Sequence, residues 1–455
     1  MNQTFITELQ SICSIRQGEH LAALDKGFHE SNLEAGLAVF PASTDEVARV
    51  VRLCVEHRVE MVAHGGRTGL AGAGATKAGQ LIIDLSRMNF IGQVDPVSGT
   101  VEVGAGATLQ AVQGACAQQG LTPGIDLAAR GTATIGGMIS TNAGGMEAFR
   151  CGVMRHRVLG LEAVLPDGSV LNDLTRVTKV NEGLDVKHVL IGAEGRLGIV
   201  TRAVLMLEPL PVASATAIVA CNSARDAVTA FQKLKSRGNL LRAEIMWREY
   251  AETVAANLGL EATLSFCDAP VYVLFETAGD DHSDACERLE ASVMETIEAG
   301  DVLDGVIAQN GRQEADMWRV REETWEVETR YPNSLWYDVS VPLDQLDTYV
   351  QRMFAGIAAA DDGLKVFVLG HLGDGNLHVT VAHPDGVKKW KEQSDEALFD
   401  GLKTMGGSIS AEHGVGLEKM VALARYGDPG RLSMARAIKL ALDPDDLMNP
   451  GKVVV

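Results

Sequence analysis

The sequence lacks paired cysteines. None of its seven cysteines belongs to a Cys-x-x-Cys motif, and their number is odd. This distribution excludes a disulfide framework and an iron–sulfur cluster held by this chain alone, and it predicts free, mostly buried thiols in a reducing compartment. The cysteines are Cys13, Cys54, Cys116, Cys151, Cys221, Cys267 and Cys286.

The sequence also lacks membrane and export signals. No segment reaches the roughly 20 apolar residues that span a bilayer, and residues 1–20 do not show the basic-then-apolar order of a signal peptide. Basic side chains are in deficit, with 40 Lys and Arg against 60 Asp and Glu and a formal charge of -20. Such a charge repels phosphate backbones and anionic lipid. We therefore expect a soluble, cytoplasmic protein that binds no nucleic acid.

The length predicts more than one domain. A chain of 455 residues is too long for one simple core, so two or three domains are expected. A glycine-rich domain is predicted for residues 1–210, because glycine becomes less frequent after Pro209-Leu210-Pro211. A second domain is predicted for residues 211–405, and the tail 406–455 is expected to return to the first.

Local patterns predict an α+β fold. Ser43-Thr44-Asp45-Glu46 has capping-box spacing and starts an amphipathic helix, and residues 159–171 read as a hairpin that turns at Pro166-Asp167-Gly168. The second domain is expected to hold an antiparallel sheet with helices on one face. Its predicted helices are 224–237, 283–299 and 343–360, and its predicted strands include 271–275, 336–341 and 365–369.

The first domain carries several glycine-rich loops. They include His64 to Gly69, residues 133–145 and residues 191–200. Backbone N–H groups in such loops can cradle a pyrophosphate. None has the Gly-x-Gly-x-x-Gly spacing of a Rossmann site, and no Walker A motif is present. One loop alone favours a structural turn, whereas several in one domain favour a large dinucleotide.

A histidine pair framed by glycines points to a metal. The segment Gly370 to His378 contains His371 and His378, and the pair Glu412-His413 follows later. Two imidazoles and a carboxylate leave coordination positions open on a divalent ion, as in a catalytic site. They suit zinc, manganese or iron. The alternative is that the two histidines are unrelated, one in a turn and one in a strand.

The ordered motifs resemble a known family. They are Gly65-Gly66-Arg67-Thr68-Gly69, Pro123-Gly124-Ile125-Asp126, Thr134-Ile135-Gly136-Gly137, Asn142-Ala143-Gly144-Gly145, residues 192–199 and Asn449-Pro450-Gly451-Lys452. Together with the histidine motifs, they are similar to vanillyl-alcohol-oxidase (PCMH-type) FAD flavoproteins. Within these the chain most resembles the D-2-hydroxy acid dehydrogenases, which act on D-2-hydroxyglutarate, D-lactate or glycolate. The resemblance implies a two-subdomain FAD-binding domain, an inserted antiparallel-sheet substrate domain and a C-terminal helical segment.

The resemblance also implies the FAD contacts. Arg67 stands near where covalently flavinylated members have histidine, so non-covalent FAD is expected. The implied FAD-binding residues are His64, Gly65, Gly66, Arg67, Thr68, Gly69, Pro123, Gly124, Thr132, Gly136, Gly137, Ser140, Asn142, Gly144, Gly198, Ile199, Val200 and Asn449.

The same resemblance implies the catalytic roles. His371, His378 and Glu412 would bind the metal, zinc by family precedent, and His413 would be the base. Arg321 would bind the substrate carboxylate; alternatively, it is a helix arginine paired with Glu322 or Glu323. Asn376 would orient the hydroxyl or carboxylate, unless it is only a turn residue.

The sequence departs from the hydroxyglutarate enzymes in the substrate pocket. In those enzymes a lysine commonly precedes the Tyr-Asp motif and helps to hold the distal carboxylate, whereas here Trp336 precedes it. Trp325 lies in the segment where those enzymes use a hydroxyl-bearing residue, although the adjacent Thr324 is an alternative for that role. We therefore expect a lactate-like or apolar D-2-hydroxy acid, with D-2-hydroxyglutarate as the alternative. The two tryptophans could instead be core aromatics.

The partners follow from the same family. The electron acceptor is expected to be an electron-transfer flavoprotein, a quinone or a partner subunit, and the chain could form a homodimer. A flavin oxidase would share almost every FAD motif. A further alternative is an FAD-binding scaffold subunit of a larger oxidase, against which the complete set of histidine and glutamate side chains argues.

Overall fold

The computed structural model describes residues 2–453 and divides the chain into two compact units. Unit 1 comprises residues 1–145, 151–210 and 412–455, and unit 2 comprises residues 146–150 and 211–411. None of the seven cysteines, all of which lie in the described part of the chain, forms a disulfide. Among the residues described, no helix is long and apolar enough to cross a bilayer.

The strands and helices follow in chain order. The strands are β1 (Ser14–Gln17), β2 (Leu37–Phe40), β3 (Met61–His64), β4 (Leu81–Asp84), β5 (Thr100–Gly104), β6 (Leu121–Thr122), β7 (Val158–Val164), β8 (Val170–Asp173), β9 (Ile199–Met206), β10 (Glu208–Pro209), β11 (Ala213–Cys221), β12 (Leu240–Trp247), β13 (Val271–Gly279), β14 (Asp304–Ile307), β15 (Leu335–Ser340), β16 (Lys365–His371) and β17 (Asn376–Ala382). The α-helices are α1 (Gln3–Ile12), α2 (Glu19–Ala22), α3 (Thr44–His57), α4 (Leu109–Ala117), α5 (Ile135–Thr141), α6 (Ala148–Cys151), α7 (Met154–Arg157), α8 (Lys187–Leu190), α9 (Ala224–Ser236), α10 (Arg248–Leu258), α11 (His282–Glu298), α12 (Gly311–Glu322), α13 (Trp325–Arg330), α14 (Leu346–Ala360), α15 (Lys391–Phe399), α16 (Met420–Tyr426) and α17 (Pro429–Leu442).

Unit 1 contains two four-stranded sheets, in the orders β1-β2-β4-β3 and β5-β9-β7-β8. In the first sheet β4 runs parallel to both β2 and β3, while in the second the pairs are antiparallel. The predicted helix after Ser43 is confirmed, since the Ser43 side chain accepts a hydrogen bond from the Glu46 N–H. The predicted hairpin is confirmed by the antiparallel β7–β8 pair.

Unit 2 is built on a seven-stranded antiparallel sheet in the order β14-β11-β13-β12-β16-β17-β15. The predicted antiparallel sheet is therefore confirmed, but the prediction of helices on one face is wrong. On one face Met246 packs with Tyr250 of α10 and Met317 of α12, and α11 packs on the other face, where Val293 and Val219 meet beside Gly305. The strands β11 and β13 are buried along nearly their whole length, so both faces of the sheet need cover.

Candidate active site

A hairpin in unit 2 brings the two predicted histidine ligands together. His371 is the last residue of β16, and His378 lies in β17. The register pairs His371 with Asn376 and Leu369 with His378, so both imidazoles project from the same face of the sheet. Their Nε2 atoms are 3.5 Å apart. A side chain at Gly370 would collide with the Asn376 carbonyl, and Gly375 has a φ of +73°, so the hairpin requires glycine at both positions.

The outer nitrogens of the two rings face buried carboxylates. His371 Nδ1 lies 2.9 Å from both oxygens of Glu244, which is fully buried on β12. His378 Nδ1 lies 4.0 Å from Asp338 on β15, a residue that is 1% exposed. Because a carboxylate only accepts hydrogen bonds, Glu244 requires a proton on Nδ1 of His371. The Nε2 lone pair of His371 is then directed toward His378.

This arrangement fits a divalent cation. Two nitrogen ligands at ordinary Zn–N distances in a tetrahedral site are about 3.4 Å apart, close to the observed 3.5 Å between the Nε2 atoms. The same separation is longer than a good nitrogen–nitrogen hydrogen bond. A histidine whose second nitrogen is held by a carboxylate is also the common ligand arrangement in metal sites.

Arg321 and Asn376 lie beside the histidines. Arg321, at the end of α12, is 5% exposed, and its Nη2 is 2.5 Å from Glu244 and 3.5 Å from His371 Nδ1. Its Nε and both side-chain polar atoms of Asn376 are buried without a hydrogen-bond partner among residues 2–453. Buried polar groups left in this state are normally satisfied by a ligand or water. Both residues therefore offer hydrogen bonds to a polar ligand.

The two tryptophans form an exposed pair. Trp325 starts α13 and is 52% exposed, and Trp336 in β15 is 41% exposed. Their ring centroids are 5.6 Å apart with the planes tilted by 48°. The alternative that they are core aromatics is therefore wrong. In the β15–β17 register Trp336 pairs with Thr380 and Asp338 with His378, so Trp336 is a diagonal neighbour of His378, within reach of a large side chain.

In unit 1 the loop after β3 meets the segment before α5. A side chain at Gly65 would collide with Thr134 Oγ1, and one at Gly66 would collide with the Thr132 carbonyl. His64 Nδ1 and Thr134 Oγ1 are buried with no hydrogen-bond partner in the described part of the chain. His64 Nε2 bonds the Gly74 carbonyl at 2.7 Å, and burial lowers the His64 pKa to about 4. Glycine backbones and unsatisfied polar atoms together form a surface that fits a polar cofactor.

The other predicted cofactor residues belong to the same unit. Arg67 has a φ of +55° and pairs with Asp84 at 2.6 Å. Gly136 packs directly on Ala105, which leaves no space for a side chain. Thr68 and Gly69 continue the first loop, and Pro123 and Gly124 follow β6. Gly137 and Ser140 lie in α5, Asn142 ends that helix and Gly144 follows it. Gly198 precedes β9, and Ile199 and Val200 are the first two residues of that strand.

Some of these side chains have structural partners. Ser140 donates to the Gly136 carbonyl at 2.8 Å, and the Asn142 side chain accepts from the Arg155 N–H at 2.9 Å. The Asn449 side chain donates to the carbonyls of Glu194 and Ala73. Asn449 therefore ties the C-terminal segment to two glycine-rich loops, in addition to its predicted cofactor role.

Glu412 and His413 begin the last segment of unit 1. The Gly145 N–H donates to Glu412 Oε1. Nearby, Glu194 accepts from the N–H groups of Val415 and Gly416 at 2.7 and 2.9 Å, and burial raises its pKa. Glu194 thus anchors the loop that carries His413.

Sequence reasoning missed Glu194, Glu244 and Asp338 as parts of these sites. A usable signal existed for the last two, because each is a lone acidic residue within an apolar strand segment, Ala243 to Trp247 and Tyr337 to Val339. Buried carboxylates need partners. Their partners, however, are 127 residues away for Glu244 and 40 residues away for Asp338.

Comparison with solved structures defines the class. The chain matches p-cresol methylhydroxylase with a TM-score of 0.78, covering 99% of this chain and 96% of the other at 17% identity. The fold is therefore that of a PCMH-type flavoprotein. The model of the FAD binding domain matches residues 35–173, and that of the FAD linked oxidases, C-terminal domain, matches residues 210–453.

Curated relatives define the family. The chain is 37% identical to D-2-hydroxyglutarate dehydrogenase of Xanthomonas citri pv. viticola, over 91% of this chain and 88% of the relative. It is 34% identical to the mitochondrial D-2-hydroxyglutarate dehydrogenase of Bos taurus, over 91% and 76%. A mitochondrial protein of Schizosaccharomyces pombe provisionally named D-lactate dehydrogenase is 30% identical over 96% and 88%. The chain belongs to the FAD-dependent D-2-hydroxyglutarate and D-lactate dehydrogenase family, oxidoreductases that act on a CH–OH group.

Proposed function

We propose that this enzyme oxidises a D-2-hydroxy acid with an uncharged side chain to the 2-oxo acid, assisted by a divalent cation, zinc, on His371, His378 and Glu412. The observation that carries the proposal is the pair of Nε2 atoms 3.5 Å apart, with buried carboxylates behind both rings. Glu412 follows Ala411, whose N–H donates to Asp338 at 3.1 Å. Glu412 is included as the third ligand because the family resemblance implies it.

The proposed chemistry divides the work among few groups. FAD, when bound, supplies the two-electron acceptor for the substrate hydride. A divalent cation on these ligands would supply a Lewis acid that lowers the pKa of the α-hydroxyl group. His413 takes up the hydroxyl proton, Arg321 holds the substrate carboxylate and Asn376 orients the hydroxyl. The unsatisfied polar atoms of Arg321 and Asn376 support the last two roles.

The tryptophan pair supports an uncharged substrate side chain. Trp336 is the diagonal neighbour of His378, and Trp325 contacts it. Trp336 Nε1 donates to Glu328 at 3.1 Å, so a carboxylate lies beside the aromatic surface. A second carboxylate on the substrate would be repelled by Glu328, whereas an apolar side chain would bury tryptophan surface.

D-2-hydroxyglutarate is the second candidate substrate. The relatives from Xanthomonas and Bos taurus carry that substrate in their names, and each aligns over about nine-tenths of this chain. Electrons would leave to a separate acceptor, an electron-transfer flavoprotein or a quinone. A cytoplasmic location and a homodimer remain predictions.

The test is a substrate panel assayed by dye reduction. D-lactate, D-2-hydroxyisocaproate, D-phenyllactate, D-2-hydroxyglutarate and their L-enantiomers are compared by kcat/KM. The proposal expects the highest value for an uncharged D-acid. A value for D-2-hydroxyglutarate at least tenfold above every other acid would establish the second candidate instead.

A further inference from the structure

Glu244 is a buried carboxylate, and the free-energy cost of removing it from water has to be offset by its partners. It lies in β12 within the apolar segment Ala243 to Trp247 and is fully buried. Removal of an ionised carboxylate from water is expensive unless the group is paired and hydrogen-bonded. The strand register places it directly opposite His371 of β16.

Glu244 has two partners with different predicted roles. Its two oxygens lie 2.9 Å from His371 Nδ1, and Oε2 lies 2.5 Å from Arg321 Nη2. The Tyr250 hydroxyl of α10 donates to the Arg321 carbonyl at 2.9 Å and so holds the end of α12 against α10. One carboxylate therefore contacts both a proposed metal ligand and the proposed binder of the substrate carboxylate.

The second histidine is held differently. His378 Nδ1 is 4.0 Å from Asp338, beyond hydrogen-bond distance, and the other oxygen of Asp338 accepts from the Ala411 N–H. Glu244 makes a direct carboxylate–imidazole contact with His371. The orientation of that ring consequently depends on Glu244.

We infer that Glu244 is a positioning residue that holds the proton of His371 on Nδ1, directs the Nε2 lone pair toward the metal and aims the Arg321 guanidinium at the substrate carboxylate. This inference rests on the proposed function. A purely structural role, in which Glu244 only neutralises a buried arginine, would leave metal affinity unchanged.

A matched control lies on the same sheet. Glu276 of β13 is 6% exposed and pairs with Arg242 at 2.9 Å. Glu276→Gln therefore also removes a carboxylate from a buried carboxylate–arginine pair, but it touches neither histidine. Glu244→Gln keeps the side-chain volume and removes the charge.

The experiment measures Zn²⁺ affinity of the chelator-stripped flavoprotein by competition with a chromophoric chelator, together with KM and kcat by dye reduction. We expect Glu244→Gln to weaken Zn²⁺ binding by about 10–100-fold and to raise KM, while Glu276→Gln binds Zn²⁺ like the wild type. Should Glu244→Gln fail to fold, Glu244→Asp is measured, and a smaller loss in the same direction is expected.

Two results would overturn the inference, and only the second would also reject the proposed metal site. Unchanged Zn²⁺ affinity in a folded Glu244 variant, with His371→Ala defective, rejects the positioning role alone. Equal Zn²⁺ affinity of the wild type and His371→Ala rejects the proposed metal site together with the inference.

Discussion

The Nε2 atoms of His371 and His378 are 3.5 Å apart across the β16–β17 hairpin, and each ring has a buried carboxylate behind it. The spacing of seven residues would place two side chains on opposite faces of a single strand. A tight hairpin with glycine at Gly370 and Gly375 places them on one face instead. The glycines therefore bring the two histidines together by allowing the chain to reverse direction between them.

Replacement of His413 by asparagine tests the proposed base. Loss of a general base lowers the rate of the chemical step by about 10²–10⁴-fold, so we expect kcat to fall by that factor. FAD and Zn²⁺ contents should match the wild type, because neither is assigned to His413. Retention of more than half of kcat would assign the proton transfer to another group.

Arg321→Lys tests carboxylate recognition. Lysine keeps the positive charge next to Glu244 but loses the planar pair of donors that fits a carboxylate. We expect KM for the 2-hydroxy acid to rise at least about tenfold, with a smaller change in kcat. Arg242→Lys is the control, since Arg242 also pairs with a buried glutamate. Equal kinetic effects of the two substitutions would contradict the assignment.

The substrate side-chain preference can be reversed at the tryptophan pair. Trp336→Lys combined with Glu328→Gln adds a cation and removes an anion at the exposed surface. We expect the kcat/KM ratio of D-2-hydroxyglutarate to D-phenyllactate to rise about tenfold, equal to about 1.4 kcal/mol. Glu326→Gln removes the same charge from α13 and should leave the ratio unchanged. A ratio that stays constant in the double variant would place the side chain elsewhere.

His64 predicts a pH dependence of stability. Its pKa is lowered from 6.5 to about 4 in the folded protein. Between these pH values His64 binds a proton in the unfolded state but not in the folded state. The contribution of His64 to the free energy of unfolding is therefore complete above pH 6.5 and is lost as the pH falls toward 4. At pH 5 the loss is about 2 kcal/mol.

The check compares melting temperatures at pH 7 and pH 5. Wild type and His20→Asn, an exposed control in α2, should lose more stability on acidification than His64→Asn. An equal loss in all three proteins would exclude His64 as the cause.

Local sequence signals were sufficient for much of the fold. The Ser43 cap, the hairpin at residues 159–171 and the antiparallel sheet of unit 2 were predicted because each depends on neighbouring residues or on alternation along a strand. The helices on the second face of that sheet were not predicted. A continuous apolar strand such as Val271 to Phe275 is typical of burial on both faces of a sheet, and it is the one sequence signal for the second helix layer.

The site residues also fall into those that local sequence signals predict and those that depend on the tertiary structure. His371, His378 and the loop after His64 could be found because glycine and histidine spacing is visible in the sequence. Glu244 could not be assigned, because its role depends on a register between β12 and β16 that links residues 127 positions apart. The exposure of Trp325 and Trp336 likewise depends on where β15 lies in the sheet.

In the proposed function, a divalent cation on the His371–His378 pair is required for oxidation of the hydroxy acid. The most direct measurement is dye reduction by the purified flavoprotein before chelation, after verified removal of metal with FAD retained, and after addition of Zn²⁺. We expect loss of at least 99% of the activity on chelation, corresponding to about 2.7 kcal/mol, and its recovery with one equivalent of Zn²⁺ in the wild type but not in His371→Ala. Full activity of the metal-free, FAD-loaded protein would contradict it.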